Sequence, residues 1–195
     1  MMRTFALLSI ITLSACGASA PADHDDTTKP TLVADAAADY SPSSQSVNGW
    51  SYRTGVEPNT VEMTLGADAW GDSTWCNASD RNSAIFGPNA GFLKLHPGLV
   101  TNTVIRWTAP ADGRYLVQLS SRKEDTGGGD GVETRIYRNA ERKATQALAF
   151  DESAEISDHF DWTLQLGDTV SAEVTQLNDG YYDSTGLRFV VQRQE

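Results

Sequence analysis

Cysteine is almost missing from this chain: Cys16 and Cys76 are the only two in 195 residues. Two cysteines cannot build a disulfide framework, so packing alone must hold the fold. Basic charge is short as well. Fifteen Lys and Arg stand against 26 Asp and Glu, a formal net charge of −11 at pH 7. No basic tract offsets that balance, which argues against nucleic acid and against anionic membrane surfaces as partners. The apolar stretch Phe5–Leu13 falls far below the ~20 residues that span a bilayer, and no later stretch approaches that length. Histidine occurs three times. There is no Gly-x-Ser-x-Gly elbow and no His-Glu-x-x-His pair, so the familiar hydrolase signatures are missing.

What is present begins with an export pattern. Arg3 supplies a positive end, Phe5–Leu13 a short apolar core, and Leu13-Ser14-Ala15-Cys16 resembles the bacterial lipobox. Residues 1–15 therefore read as a lipoprotein signal peptide, with Cys16 as the lipidation site. The competing reading is a plain secretory peptide cut near Ala18 or Ala20. Lipid on Cys16 would make the bilayer a partner and the cell envelope the address. Gly17 follows the cysteine, and by resemblance to the retention rule of enteric bacteria this points to the outer membrane of a Gram-negative cell. Cys76 would then lack an intramolecular partner and should lie buried beneath Trp75. Residues 16–46, rich in Ala, Ser, Pro, Thr and Asp, read as the lipidated N-terminus and a flexible tether.

Residues 47–195 carry the folding information. Val104–Ser121 organises them: Ile105, Trp107 and Ala109 share one phase, and Tyr115, Val117 and Leu119 share another. Alternation of this kind marks strands half buried in a sheet. Pro110-Ala111-Asp112-Gly113 between the two runs reads as a hairpin loop. Further alternating runs occur at Trp50/Tyr52, Val61/Met63/Leu65, Val132/Thr134/Ile136, Phe160/Trp162/Leu164/Leu166, Val170/Ala172/Val174 and Leu187/Phe189/Val191. Trp50, Trp107 and Trp162 are in phase with strand interiors. Asn139–Phe150 could compete as a helix, but Leu148 and Phe150 keep period two, which favours a turn followed by a strand from Thr145. Many short strands punctuated by Gly and Asx predict an all-β, antiparallel β-sandwich or jelly roll.

Six segments in order, NGWSY (Asn48–Tyr52), LHPG (Leu95–Gly98), VIRWTAPADGRY (Val104–Tyr115), GGDGV (Gly128–Val132), LQLGDTV (Leu164–Val170) and YYDSTGL (Tyr181–Leu187), resemble a family of secreted bacterial β-sandwich domains. The resemblance implies a jelly roll similar to carbohydrate-binding modules. It implies no particular ligand.

Candidate site residues lie in the loops. Trp70 and Trp75 sit in AWGDSTWCN, and Tyr181 and Tyr182 in NDGYYDSTG. A flat ring in a loop can stack on the apolar face of a sugar, while Asp72, Asn77 and Asp183 bond its hydroxyls. The alternative is that these rings cover the ends of the sandwich. Asp125, Asp130, Asp179 and Asp183 stand in two glycine-rich connections. Calcium wants six to eight oxygens, and Asp130, Asp179 and Asp183 are its candidate ligands for a structural role. The same residues are also ordinary turn formers. His96, in Leu-His-Pro-Gly, is expected to bond backbone, and His159 to face solvent. Three functions follow: a non-catalytic glycan-binding lipoprotein domain, an accessory envelope lipoprotein that binds a protein partner, and, less favoured, a hydrolase or lyase.

Overall fold

The computed structural model describes residues 29–194. Its strands form two antiparallel sheets packed face to face. The larger sheet contains β1 (Thr31–Asp35), β4 (Thr64–Ala67), β5 (Ser73–Cys76), β6 (Ala84–Asn89), β7 (Phe92–His96), β9 (Gly113–Lys123), β12 (Ile156–Leu164) and β14 (Thr185–Gln194). Its order is β12-β9-β14-β7-β6-β5-β4, with β1 also paired to β14. The smaller sheet contains β2 (Trp50–Val56), β3 (Asn59–Glu62), β8 (Thr103–Thr108), β10 (Val132–Arg138), β11 (Glu141–Leu148) and β13 (Thr169–Gln176). Its order is β11-β10-β13-β8-β2-β3. The architecture is the expected antiparallel β-sandwich of jelly-roll type.

The alternating residues meet between the sheets. Trp50 and Trp107 lie opposite each other on β2 and β8, and both are buried. Each reaches across to the other sheet: Trp50 sets its edge against Phe189 at 4.8 Å, and Trp107 against Tyr115 at 5.4 Å. Such edge-to-face pairs contribute about 0.5–1.5 kcal/mol beyond the area they bury. Leu187, Phe189 and Val191 of β14 and Val170, Ala172 and Val174 of β13 complete the buried layer. Cys76 is free and buried, and burial pushes its thiol pKa up.

Several expectations are corrected. Val104–Ser121 is no hairpin: β8 pairs with β2 and β13, whereas β9 pairs with β12 and β14. The chain crosses from one sheet to the other at Pro110–Asp112, and Tyr115 Oη donates to the Ala111 carbonyl to fix the corner. Period two tells which face of a strand is buried; it does not tell which sheet the strand joins. Val61 and Leu65 are exposed, and of that run only Met63 is buried, because β3 and β4 belong to different sheets. Trp162 is half-buried, stacked on Phe160 at 4.5 Å on the edge strand β12. Leu166 projects from the following turn, 70% exposed. The strand after Asn139 starts at Glu141, ahead of the expected Thr145.

The largest correction concerns the tether. Residues 31–46 belong to the folded domain. Thr31–Asp35 adds a bulged strand beside β14, and Ala34, Ala36 and Ala37 are buried. Asp39 accepts from Trp50 Nε1, Ser41 accepts from Trp75 Nε1 through its carbonyl, and Gln45 exchanges bonds with the Tyr52 backbone. Small residues next to a sheet need little volume to be buried, so an Ala-rich composition concealed a strand. Cys16 and the signal segment lie outside the described residues.

Candidate functional site

One end of the larger sheet carries an open cavity of about 720 Å³. The outer face of β6 and β7, the β4–β5 turn and the β13–β14 connection build most of it, and Asn82, Leu99 and Asp125 join from three further loops. On β7, Leu93 and Leu95 point into the core, so Lys94 and His96 take the opposite face. Phe86 is the cross-strand neighbour of Lys94, and the Lys94 ammonium lies 4.9 Å from its ring centre.

The β4–β5 turn is tied by a buried carboxylate. Asp68 Oδ1 accepts the backbone N–H groups of Trp70 and Asp72 at 2.8 and 3.0 Å, and Gly71 takes the positive φ that the tight turn requires. Trp70 is thereby held over the cavity, its ring centre 4.7 Å from that of His96 and 5.9 Å from Phe86. It stays 54% exposed. His96 itself is buried, its Nδ1 bonded to the Pro97 carbonyl at 2.7 Å. Burial holds its pKa below the usual histidine value, so the ring is neutral near pH 7.

The opposite wall is the tyrosine connection. Asp130 Oδ2 accepts from the backbone and side-chain nitrogens of Asn178 at 2.8 and 2.6 Å, and Asp179 Oδ1 accepts from Tyr181 N at 2.9 Å. Tyr182 has a left-handed backbone, and its ring lies against Gly127 and Gly128. A Cβ on either glycine would stand 3.1 Å from that ring, which explains the glycine run. Beneath this wall, Lys123 and Asp183 are both fully buried. Lys123 Nζ donates to the Tyr182 carbonyl and lies 3.5 Å from Asp183 Oδ1, while Asp183 Oδ2 has no partner among the described residues. Burial pushes the Asp183 carboxyl up to about 6 despite Lys123, with Asp130 and Asp179 adding to the rise.

The structure thus sorts the predicted residues. Trp70, Asp72, Tyr181 and Tyr182 converge on the cavity, and Asp179 and Asp125 line it too. Trp75 does not: it is buried on β5, because its indole packs on Tyr52. Asn77 ties a neighbouring turn, donating to Thr54 and Thr101 and accepting from Ser79 and Asp80 backbone. Asp183 is sealed from the cavity by its burial with Lys123. The three candidate calcium ligands lie in and beneath the tyrosine wall. Among the described residues no three His, Cys, Asp or Glu side chains gather to hold an ion, Asp183 faces an ammonium, and Asp130 and Asp179 spend oxygens on turn N–H groups. Asp130 Oδ1 and Asp183 Oδ2 are buried without a hydrogen-bond partner among the described residues.

Phe86 and Lys94 escaped the sequence reading because they look like strand residues, and His96, which bonds backbone as expected, was not read as lining a cavity. The available signal was phase: each alternates with a buried Ile or Leu, which puts an aromatic, an ammonium and an imidazole on an outer face.

No protein-family model matches the chain, and no curated protein does. Among solved structures, a family 35 carbohydrate-binding module from Clostridium thermocellum aligns with 56% of this chain and 87% of its own, at 18% identity and TM-score 0.37. A family 51 module from Clostridium perfringens, solved with methyl-galactose, covers 76% of this chain and 83% of its own at 11% identity and TM-score 0.38. The xylan-binding module CBM22-1 of Paenibacillus barcinonensis Xyn10C covers 87% and 98% at 7% identity and TM-score 0.40. Likenesses at these scores leave the ligand open, and the pocket's own residues must decide it.

Proposed function

We propose that this domain binds carbohydrate, without catalysis, in the cavity between Trp70 and the Tyr181–Tyr182 connection. The observation that carries this reading is the set of exposed rings, Trp70, Tyr181 and Tyr182, lining one open cavity of about 720 Å³ together with Asp and Asn side chains. Rings supply apolar area for a sugar face, and Asp72, Asn82, Asn178 and Asp179 supply acceptors and donors for hydroxyls. A role in proton transfer finds no support at His96, which is buried and committed to a backbone carbonyl. Each stacking contact contributes on the order of 1 kcal/mol, so a single sugar unit should bind only weakly, near millimolar.

The same proposal places the domain at the bacterial envelope through lipid on Cys16, where many copies on one surface raise avidity. A Cys16→Ser chain should then leave the membrane fraction or fail to mature, and unchanged fractionation with no acyl group on Cys16 would remove the anchor. For the pocket, the test is a glycan array with residues 29–195, run with and without calcium. Retained glycans should lose binding in Trp70→Ala/Tyr181→Ala. Binding that survives the double substitution, or no glycan retained at all, would overturn the assignment.

A further inference from the structure

We infer that the pocket selects a positively charged sugar, an oligosaccharide bearing free amino groups. This rests on the glycan-binding reading above and narrows it. The argument starts from uncompensated charge. Asp72, Asp125 and Asp179 all line the cavity. Among the described residues, none of the three lies in an ion pair with Lys, Arg or His. Asp125 and Asp179 each use one oxygen to close a local turn, on Gly127 N and Tyr181 N, and keep the other. Against these three carboxylates the lining offers one ammonium, Lys94, which lies over Phe86. His96 adds no charge, since burial keeps it neutral.

The walls reinforce the sign. The exposed faces of Trp70, Tyr181 and Tyr182 carry negative potential, and an ammonium within about 6 Å of such a face is attracted to it. With three carboxylates against one ammonium the concave lining is net negative, which focuses a negative field, and the net charge of −11 on the whole chain acts in the same direction. A neutral sugar leaves this field unused. An anionic sugar meets three like charges for one opposite. An amino sugar satisfies both features at once, its ring on the aromatics and its ammonium among the carboxylates.

The test is calorimetric titration of residues 29–195, near pH 6.5 and at low salt, with four probes: a glucosamine trisaccharide, its fully N-acetylated counterpart, a galacturonic acid trisaccharide and trilysine. The free-amine sugar should bind at least tenfold more tightly than the acetylated one, and the preference should shrink as salt is raised. Asp72→Asn/Asp125→Asn/Asp179→Asn should abolish that preference while the melting temperature stays close to wild type, because Asn keeps the oxygen with which Asp125 and Asp179 close their turns and the Asp72 side chain closes none. Equal or tighter binding of the acetylated or acidic sugar would overturn the charge assignment and leave carbohydrate binding standing. Trilysine binding as tightly as the amine sugar would overturn the sugar and indicate a basic peptide instead. If none of the three sugars binds and the glycan array is also blank, both readings fall.

Discussion

The middle of this sandwich and its pocket end are built on opposite principles. In the middle, Trp50, Trp107, Tyr115 and Phe189 meet across the two sheets with almost no water contact, and apolar burial does the stabilising. At the pocket end the buried groups are polar: Asp80, His96, Lys123 and Asp183, with Thr54, Ser83 and Thr103 linked by their hydroxyls. Asp80 shows what such a group needs. Burial would raise its pKa, yet the N–H groups of Leu99, Val100 and Thr101 and the Thr101 hydroxyl converge on it and hold it below the usual carboxylate value. Gly98 is required there, since a Cβ would overlap the carboxylate. The middle tolerates any shape that fills the space. The end depends on its hydrogen bonds, with Asp183 Oδ2 the exception, because an unpaired buried group costs far more than a paired one gains.

Substitutions can break the contrast from either side. Trp107→Ala empties the middle and should cost about 3–5 kcal/mol, read as a lowered midpoint in chemical denaturation. A loss under 1 kcal/mol would mean the two sheets do not meet on that residue. Lys123→Met should cost about 3 kcal/mol although it removes no apolar contact, since it strands the Asp183 charge. It should also weaken glycan binding, because the Tyr182 carbonyl loses its donor.

The pH dependence is a finer probe. Asp183 binds its proton more tightly folded, near 6, than its usual 3.8, so charging it opposes folding. Its contribution therefore favours the fold most below about pH 4 and is lost as pH rises through 6. Between pH 4 and 7 this one group should tilt stability by on the order of 3 kcal/mol at most, and Asp183→Asn should flatten the tilt. Asp80, shifted the other way, acts only below that window. A stability profile identical in wild type and Asp183→Asn would show that the carboxyl is not desolvated. The smallest effect is expected at the surface of the pocket: Trp70→Ala should change stability by no more than about 0.5 kcal/mol while reducing sugar binding. A large loss of stability would make Trp70 part of the packing.

The same contrast explains what could be read from the sequence. Leu187, Phe189 and Val191, or Trp50 and Trp107, announce themselves because a strand with one wet face must alternate. Trp70, Asp72, Tyr181 and Tyr182 were legible for the opposite reason: aromatics in Gly- and Asp-rich turns have no core phase to serve. Trp75 looked the same, but it stands in a short strand and is buried by groups distant in sequence, the Tyr52 ring and the Ser41 carbonyl. Asp183 read as an exposed loop acid because nothing local reveals that Lys123, on β9, meets it in the interior. Pairings between distant segments also decided that β8 and β9 part company, and that Ala34 lies in a sheet.

The pairing of β1 with β14 has a consequence for orientation. Along β14, Thr185 is level with Lys123 under the pocket, and Arg193 is level with Thr31. At about 3.3 Å per residue the separation is roughly 26 Å, most of the length of β14. Thr31 therefore lies toward the pole remote from the cavity. An anchor attached through the residues before Thr31 would hold the domain by its base, and a population anchored in this way would present its pockets at the distal pole, side by side, as a directional coat.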